Sequence, residues 1–458
     1  MQIPFATQFA SGRSPVVNSE LMVNLFPEVN PRGKSQVALY RCPGLKPFAN
    51  PGGSQVRGLF SIGSLGYAVI DDALYEVSSA GATTQRGTLS TSTGRVGLSW
   101  NGTQAIIVDG SNGYVYEGGA LSRITDTDFL GSDSAEYLDG FSLFIQPGGQ
   151  RIYSSELKDA STLDALDFAS AESSPDSAIA QIVDHREWWI FGANSTEIWQ
   201  NQGVAGFPFG RFTTLERGIA SPYACTKEDN TVFWLGDDGV VYRAEQYSPL
   251  RVSSEAVEYA IGQEDISQCA AFAQTEQGHK FIFFQFPNRT LVYDIATNWW
   301  HERRNYPSGA WRGNCMAKIG NKWIVGDRTS GKLFELSESY FQDDGGIQRW
   351  EAISPNINRD QKRLFHRRFE LALETGVGLE TGQGADPQVF LSWSDDGGRT
   401  YSDAIWASVG VQGDYQKRVA WWQLGQSGYQ GRYYRVAGTD PVITTIAGAY
   451  GAITVGQS

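Results

Sequence analysis

The chain has 458 residues, of which 41% are hydrophobic and 19% charged, a balance that excludes an intrinsically disordered protein. It is too long for one ordinary core, so two domains or one large repetitive architecture are expected. Its 52 glycines and 13% aromatic residues suit tight turns and half-buried strands better than long helices. The formal net charge of −13 argues against a protein that grips nucleic acid through its phosphates. The composition predicts an all-β protein.

The sequence carries no pattern for a metal site, a disulfide framework or a leader segment. The cysteines form no CxxC pair and the histidines have no HxH or HExxH spacing, so isolated thiols and no metal or cofactor are predicted. The cysteines are Cys42, Cys225, Cys269 and Cys315. The N-terminus lacks a signal-peptide pattern, and no apolar run approaches the ~20 residues that span a bilayer. We expect a protein made in soluble form, without membrane insertion.

The first 55 residues contain seven prolines, which interrupt regular structure. They are Pro4, Pro15, Pro27, Pro31, Pro43, Pro47 and Pro51. Because proline restrains both itself and the residue before it to extended backbone, residues 1–55 are predicted to form an extended arm with short strands.

From residue 56 a unit recurs in which a short apolar strand is followed by a turn, mostly rich in Asp, Asn or Gly, and by a strand with an aromatic residue, mostly Tyr or Phe, at or near its end. The units cover residues 66–77, 104–117, 137–153, 187–199, 231–242, 280–294 and 322–335. Their spacing, roughly 40 to 50 residues, is the length of a four-stranded propeller blade. Residues 56–344 are therefore predicted to form a β-propeller of six or seven blades, with an ordinary β-sandwich as the alternative.

After residue 345 the rhythm changes to longer strands with period-two alternation, separated by glycine-rich connections. Residues 345–458 are predicted to form a β-sandwich-like domain, since about 110 residues is a usual domain size. Within it, Ser394, Asp396, Gly398, Thr400 and Tyr401 fit an Asp-box, a hairpin-turn device whose Asp accepts backbone N–H bonds. This motif indicates architecture and not catalysis.

Nothing in the sequence assembles a catalytic site. A glycosidase needs two carboxylates held about 5 to 10 Å apart around a cleft. The acidic pairs Asp71/Asp72 and Asp237/Asp238 both lie in predicted hairpin turns, and no phosphate loop or GxSxG elbow is present. No catalytic residues are predicted, and the protein is not expected to be an enzyme.

The most basic stretch is Arg359, Lys362, Arg363, Arg367 and Arg368, on an otherwise acidic chain. One interpretation is a solvated loop that leads into a strand. The functional alternative is an electrostatic contact with an acidic subunit or adaptor in an assembly, and phosphate contact is a third possibility. The five residues are the candidate site of this sequence.

Several motifs together, in the same order along the chain, resemble the packaged-DNA stabilisation, or tail-nozzle, proteins of short-tailed bacteriophages. The similar segments are residues 23–28, 42–45, 57–60, 192–199, 217–220, 290–294, 390–397 and 417–421. The resemblance implies a structural virion protein of the tail, made in the host cytoplasm. It would form a homohexameric ring below the portal-bound adaptor ring, retain packaged DNA and let it pass at ejection.

The same resemblance implies neighbours for that ring. These are a distal plug or tail needle and nearby tailspike or tail fibre proteins, while double-stranded DNA passes through the lumen without sequence-specific binding. An acidic lumen would repel phosphates and keep the genome mobile, although the charge also serves solubility alone. Two alternatives stay open: a carbohydrate-binding or glycoside-hydrolysing propeller, which a pocket with clustered arginines and a carboxylate pair would support, and a propeller scaffold for other proteins.

Overall fold

The computed structural model describes residues 1–5, 8–32, 35–171, 176–307 and 309–456. The described chain is almost entirely β-structure, which confirms the predicted fold class. The N-terminal segment supplies five strands. They are β1 (Gln2–Ile3), β2 (Leu21–Val23), β3 (Leu25–Val29), β4 (Val37–Arg41) and β5 (Gly44–Ala49).

Six antiparallel sets of four consecutive strands follow in series and form blades 1 to 6; the first five are separate sheets, and the sixth is part of a larger sheet. Blade 1 contains β6 (Val56–Ile62), β7 (Leu65–Ile70), β8 (Ala73–Val77) and β9 (Thr83–Thr88). Blade 2 contains β10 (Gly97–Trp100), β11 (Ala105–Val108), β12 (Gly113–Glu117) and β13 (Ala120–Arg123). Blade 3 contains β14 (Ala135–Leu138), β15 (Phe141–Ile145), β16 (Arg151–Glu156) and β17 (Asp159–Ser170).

Blade 4 contains β18 (Ala178–Asp184), β19 (Glu187–Gly192), β20 (Thr196–Asn201) and β21 (Phe209–Leu215). Blade 5 contains β22 (Cys225–Glu228), β23 (Thr231–Leu235), β24 (Val241–Glu245) and β25 (Ser248–Arg251). A short helix α1 (Glu255–Ile261) and a 3₁₀ turn (Ile266–Gln268) lead to blade 6. Blade 6 contains β26 (Ala270–Glu276), β27 (His279–Gln285), β28 (Thr290–Asp294) and β29 (Trp299–Arg303).

A seventh blade closes the ring. It contains β30 (Gly313–Ile319), β31 (Lys322–Asp327) and β32 (Leu333–Ser337), and its fourth strand is the N-terminal β5. The first strand of each blade contacts the first strand of the next, and β30 returns to β6. The last repeat in the sequence is incomplete because its fourth strand comes from the other end of the chain. Joining first and last blades in this way buries edges that an open array would expose.

The second strand of each blade is mostly apolar without alternation because other blades cover both of its faces. Strand β11 (Ala105–Val108) is buried at every position, and its Ile106 and Val108 share a cluster with Phe144 of blade 3. By contrast β36 (Leu364–Leu373) alternates between buried and more exposed residues, as a strand with one solvated face does. The acidic pairs Asp71/Asp72 and Asp237/Asp238 lie in turns between strands, as predicted.

The C-terminal part forms a β-sandwich. After the short hairpin of β33 (Gln342–Asp343) and β34 (Gly346–Ile347), its strands are β35 (Trp350–Ile353), β36 (Leu364–Leu373), β37 (Gln388–Ser394), β38 (Ile405–Ser408), β39 (Val419–Trp422), β40 (Gln426–Ser427), β41 (Tyr433–Gly438) and β42 (Thr445–Val455). One sheet has the order β3-β4-β42-β36-β39, with β1 and β40 at its sides, and the other has the order β2-β35-β41-β37-β38. A core that includes Phe369, Trp350 and Tyr434 fills the space between them.

The propeller and the sandwich share a sheet. Strand β2 pairs in parallel with β29 of blade 6 and antiparallel with β35, so one nine-stranded sheet runs from the propeller into the sandwich. Asn24, which follows β2, is buried with φ 52° and donates hydrogen bonds to the carbonyls of Arg304 (2.8 Å) and Arg349 (2.7 Å). The N-terminal segment 1–55 thus contributes strands to both halves of the molecule.

A buried histidine makes the sandwich sensitive to acid. His366 lies between the Ser427 hydroxyl (2.9 Å) and the Tyr434 hydroxyl (2.8 Å), and burial, with the charge of Arg432, lowers its pKa to about 3. The unfolded chain therefore takes up a proton near pH 6.5 that the folded state resists. The contribution of neutral His366 to the free energy of unfolding is fully present above about pH 6.5, and it decreases as the pH falls towards about 3.

We expect this loss to reach about 2 kcal/mol between pH 7.5 and pH 5, since one pKa unit corresponds to about 1.4 kcal/mol. Denaturant unfolding at the two pH values measures it. His366→Gln keeps hydrogen-bonding capacity and does not titrate, so its pH dependence should be smaller by that amount. Equal pH dependence of the two proteins would contradict the assignment to His366.

Candidate assembly surface

The five basic residues of the candidate site lie together at one side of the sandwich. Arg359 and Lys362 are the ends of a tight turn in which the Lys362 N–H donates to the Arg359 carbonyl at 2.9 Å. The two central residues, Asp360 and Gln361, have φ of 49° and 57°, as a type I′ turn requires. All four side chains are exposed. The turn projects its two cations into solvent beside the start of β36.

Strand β36 continues this basic surface across the outer face of the sandwich. A bulge between His366 and Arg368 breaks the register with β42, and Arg367 within it is exposed. Arg368 is paired across the sheet with Trp422 of β39, and its guanidinium lies 5.3 Å from the centre of that indole ring. Trp422 is 65% exposed and Phe365 is 40% exposed. The outer sheet therefore presents cations and large apolar side chains together.

A carboxylate fixes two of these arginines. Glu370 accepts two hydrogen bonds from Arg418, at 2.9 Å and 2.7 Å, and lies 3.3 Å from Arg368. The hydrogen bonding of Arg418 lowers the pKa of the Glu370 carboxyl. The surface formed by Phe365, Arg367, Arg368, Arg418 and Trp422 is called the basic face below. Its three cations outweigh its one anion.

Sequence reasoning found the β36 part of this face and missed the β39 part. Arg418 and Trp422 lie about fifty residues away in the chain and reach Glu370 and Arg368 only because β39 pairs with β36. The signal was available in the segment 417–421, which carries two cations and one of two adjacent tryptophans. Of those tryptophans, Trp421 packs into the core while Trp422 points outward, as alternation along a strand requires.

The axis of the propeller is closed by side chains. Arg95, between blades 1 and 2, donates to the Asn314 carbonyl and side chain at 2.7 Å and to the Gln285 side chain at 2.8 Å. The Tyr223 hydroxyl of the entry to blade 5 donates to the Arg95 carbonyl. These contacts join opposite sides of the ring, so the propeller's own centre is not a passage for a DNA duplex.

A cavity of about 300 Å³ at the propeller–sandwich junction is lined by three arginines. Two of them are bound to carboxylates: Arg304 hydrogen-bonds Glu302 at 2.8 Å, and Arg349 hydrogen-bonds Glu351 at 2.7 Å. The guanidinium carbon of the third, Arg435, lies 4.1 Å from the centre of the Tyr401 ring. The carboxylates therefore neutralise arginines and are not a free pair across a cleft, as glycoside hydrolysis needs.

The Asp-box has the predicted turn geometry. Asp396 accepts backbone N–H bonds from Arg399 at 2.9 Å and Thr400 at 3.0 Å. The hydrogen bond from the Thr400 hydroxyl, followed by the backbone bond from Thr400, holds the pKa of Asp396 well below the usual range. Tyr401 is half-buried beneath the turn, and the adjoining Gly398 packs against Ser19 of the N-terminal arm. The motif stabilises the turn between β37 and β38.

The cysteines are unpaired thiols. Over the described ranges, no cluster of three or more His, Cys, Asp or Glu side chains could hold a metal ion. Nor does any described helix combine the length and the apolar character needed to cross a bilayer.

Comparison with known proteins matches both halves of the chain to one family. Residues 1–340 match "Bacteriophage P22 Gp10, beta-propeller", and residues 349–454 match "Bacteriophage P22 Gp10, beta-sandwich". No curated protein sequence matches the chain.

The solved structures that are similar to the chain have low sequence identity to it. The WD40 β-propeller domain of Doa1 is 11% identical, with a TM-score of 0.44, and the match covers 66% of this chain and 98% of that one. YCF48 bound to a D1 peptide is 13% identical, with a TM-score of 0.42 and coverage of 64% and 97%. The computationally designed protein Ika8 is 11% identical, with a TM-score of 0.40 and coverage of 63% and 99%.

The two family matches together span nearly the whole chain and meet where the propeller passes into the sandwich. The chain belongs to the bacteriophage P22 Gp10 family of structural tail proteins that stabilise packaged DNA.

Proposed function

We propose that this protein forms the homohexameric tail nozzle of a short-tailed phage. In this proposal the ring docks below the portal-bound adaptor ring, continues the DNA exit channel, and is closed distally by a plug or tail needle. Tailspike or tail fibre proteins lie nearby, and the duplex passes through without sequence-specific binding. The observation that carries the proposal is the family match over both the propeller and the sandwich.

The closed propeller axis supports a channel between chains. Arg95, Asn314 and Gln285 occupy the centre of the propeller, so a duplex cannot run through one subunit. A ring of subunits provides a wider central opening. The net charge of −13 per chain supports a wall that repels phosphates and leaves the genome mobile.

The basic face supports a role in assembly rather than in DNA binding. Arg367, Arg368 and Arg418 surround the exposed Trp422, and exposed tryptophan beside arginine is the composition of protein–protein hot spots. A phosphate-binding surface of the same charge would not need the apolar side chains. We assign this face to contact with a neighbouring subunit or the adaptor ring.

The proposed function is tested by imaging the full-length protein alone and mixed with the purified portal–adaptor complex. We expect six-fold rings in negative-stain images, or six copies added to each portal–adaptor complex by mass photometry. A protein that stays monomeric alone and does not bind the complex would overturn the proposal. A lumen lined mainly by Lys and Arg in the assembled ring would overturn the part of the proposal that concerns DNA mobility.

A further inference from the structure

Blade 3 carries an unusual outer strand. Strand β17 has 12 residues, whereas the outer strands of the other blades have four to seven. It pairs with β16 through Phe168 opposite Tyr153 and through Leu163 opposite Ser155. Four residues, 164–167, therefore stand opposite the single residue Ser154 and must bulge away from the sheet.

The bulge combines one apolar side chain with several carboxylates. Leu166 at its centre is 78% exposed, and the bulge begins and ends with Asp164 and Asp167. Glu156 lies close enough to add to the raised pKa of Asp167, whose main cause is burial. Residues 164–167 are called the acidic bulge. A large exposed leucine on an unpaired edge strand is a liability unless a partner covers it.

The acidic bulge lies opposite the sandwich in the propeller ring. The sandwich sheet is joined to blade 6 through β2, and the β33 strand that leads into the sandwich pairs with β5 of blade 7. Following the contacts between first strands, blade 3 is three positions from blade 6 in one direction and three from blade 7 in the other. The acidic bulge and the sandwich therefore stand at opposite ends of the subunit.

The acidic bulge and the basic face are opposite in charge, and both carry exposed apolar side chains. The bulge offers a protruding leucine between carboxylates, and the basic face offers Trp422 and Phe365 between arginines. Opposite charges around apolar centres orient two surfaces and exclude wrong pairings. Because the two surfaces differ and lie at opposite ends, a contact between them is heterologous and generates a ring when its rotation closes.

We propose that the acidic bulge of one subunit docks on the basic face of the next copy around the ring. This inference rests on the proposed ring and names the surfaces that close it. Leu166 packs against Trp422, while Asp164 and Asp167 face Arg367 and its neighbours. A second copy is the occupant because both complementary surfaces are present on one chain.

Two charge-reversal variants of the full chain test the contact. One is Asp164→Lys/Asp167→Lys, which makes the bulge basic. The other is Arg363→Glu/Arg367→Glu, which reverses one exposed cation of the basic face and one that precedes β36 beside it. Each variant alone should assemble at least about tenfold more weakly than the wild type, because like charges then meet at every contact.

Mixing the two variants in equal amounts should restore ring formation. In alternating order, each reversed surface then meets a surface of opposite charge. Glu216→Lys/Glu245→Lys, which changes two exposed carboxylates on blades 4 and 5, is the matched control and should assemble as the wild type does. Assembly is measured by mass photometry, alone and on the portal–adaptor complex.

Cross-linking provides an independent readout. A zero-length carbodiimide reagent applied to mixed ¹⁵N-labelled and unlabelled wild-type rings should join Lys362 or Lys417 of one copy to Asp164 or Asp167 of another. Rings that form normally in either variant, a mixture that is not rescued, or rings without these cross-links would overturn the contact while leaving the nozzle in place. A wild type that forms no ring under any of these conditions would instead overturn the proposed function.

Discussion

Replacing Arg41 by methionine is expected to destabilise the folded protein by about 4 kcal/mol, a loss centred on the junction of propeller and sandwich. Arg41 is 5% exposed and its guanidinium makes five hydrogen bonds. The acceptors are the Gln348 side chain (3.0 Å) and the carbonyls of Gln348 (2.6 Å), Phe341 (3.1 Å), Asp440 (2.5 Å) and Val442 (2.9 Å).

The size of this effect comes from what the substitution leaves behind. Burial lowers the pKa of Arg41 to about 10, so the side chain is still protonated at neutral pH and serves its acceptors as a cation. Methionine fills much of the same volume but donates nothing. Three of the four carbonyls that lose their donor, those of Phe341, Gln348 and Val442, are buried, and each unsatisfied buried acceptor costs about 1–3 kcal/mol.

Denaturant unfolding measures this loss in the free energy of unfolding. Hydrogen exchange of the strands at the junction shows where in the molecule the loss occurs. Arg367→Met is the matched control, because Arg367 is exposed and its replacement should change stability by less than about 0.5 kcal/mol. If Arg41→Met unfolds at the same denaturant concentration as the control, the hydrogen bonds at Arg41 do not hold the junction together.

Replacing Gly44 by alanine is expected to loosen the closure of the propeller and to cost about 3 kcal/mol. A β-carbon at this position would lie 2.3 Å from the Tyr340 carbonyl oxygen, and 2.4 Å and 2.8 Å from backbone atoms of Gln342. These neighbours are backbone, so no side chain can rotate away. The strand that completes blade 7, β5, must therefore move away from β33, its neighbour on the other side.

Gly12→Ala is the control for this prediction, since a β-carbon at Gly12 meets nothing within 4 Å. Limited proteolysis of the N-terminal segment, together with thermal unfolding, measures the effect. We expect faster cleavage around β5 and a lower melting temperature for Gly44→Ala alone. Equal protection of the two variants would show that β33 yields at little cost and that the propeller closes without this close approach.

The repeat architecture was predictable because it depends on local chemistry. The second strand of each blade is mostly apolar and buried because neighbouring blades cover both of its faces, and Asp, Asn and Gly fill many of the turns. The turn between β18 and β19 is an exception: His185 and Arg186 occupy it with φ of 48° and 65°. Turn propensities favour Gly, Asn or Asp at such positions. There the pairing of the flanking strands prevails over local preference.

The candidate site was predictable only in part. The basic run around β36 is visible in the sequence, but Trp422 and Arg418 join it through strand pairing, and the acidic bulge depends on a register shift against β16. A run such as 164–167 reads as an ordinary strand until its partner is known. Register is a property of two strands, so one strand's residues do not contain it.

By itself the sequence determined the all-β class, the blade-length repeats, the C-terminal sandwich and the Asp-box turn. These features depend on alternation, apolar runs and turn residues, which are properties of residues close together in the chain. Only the tertiary structure decided that β5 closes blade 7, that β2 joins the propeller to the sandwich, and that blade 3 lies opposite the basic face. Those features depend on contacts between residues hundreds of positions apart, which arise when the ring closes and its edges find partners.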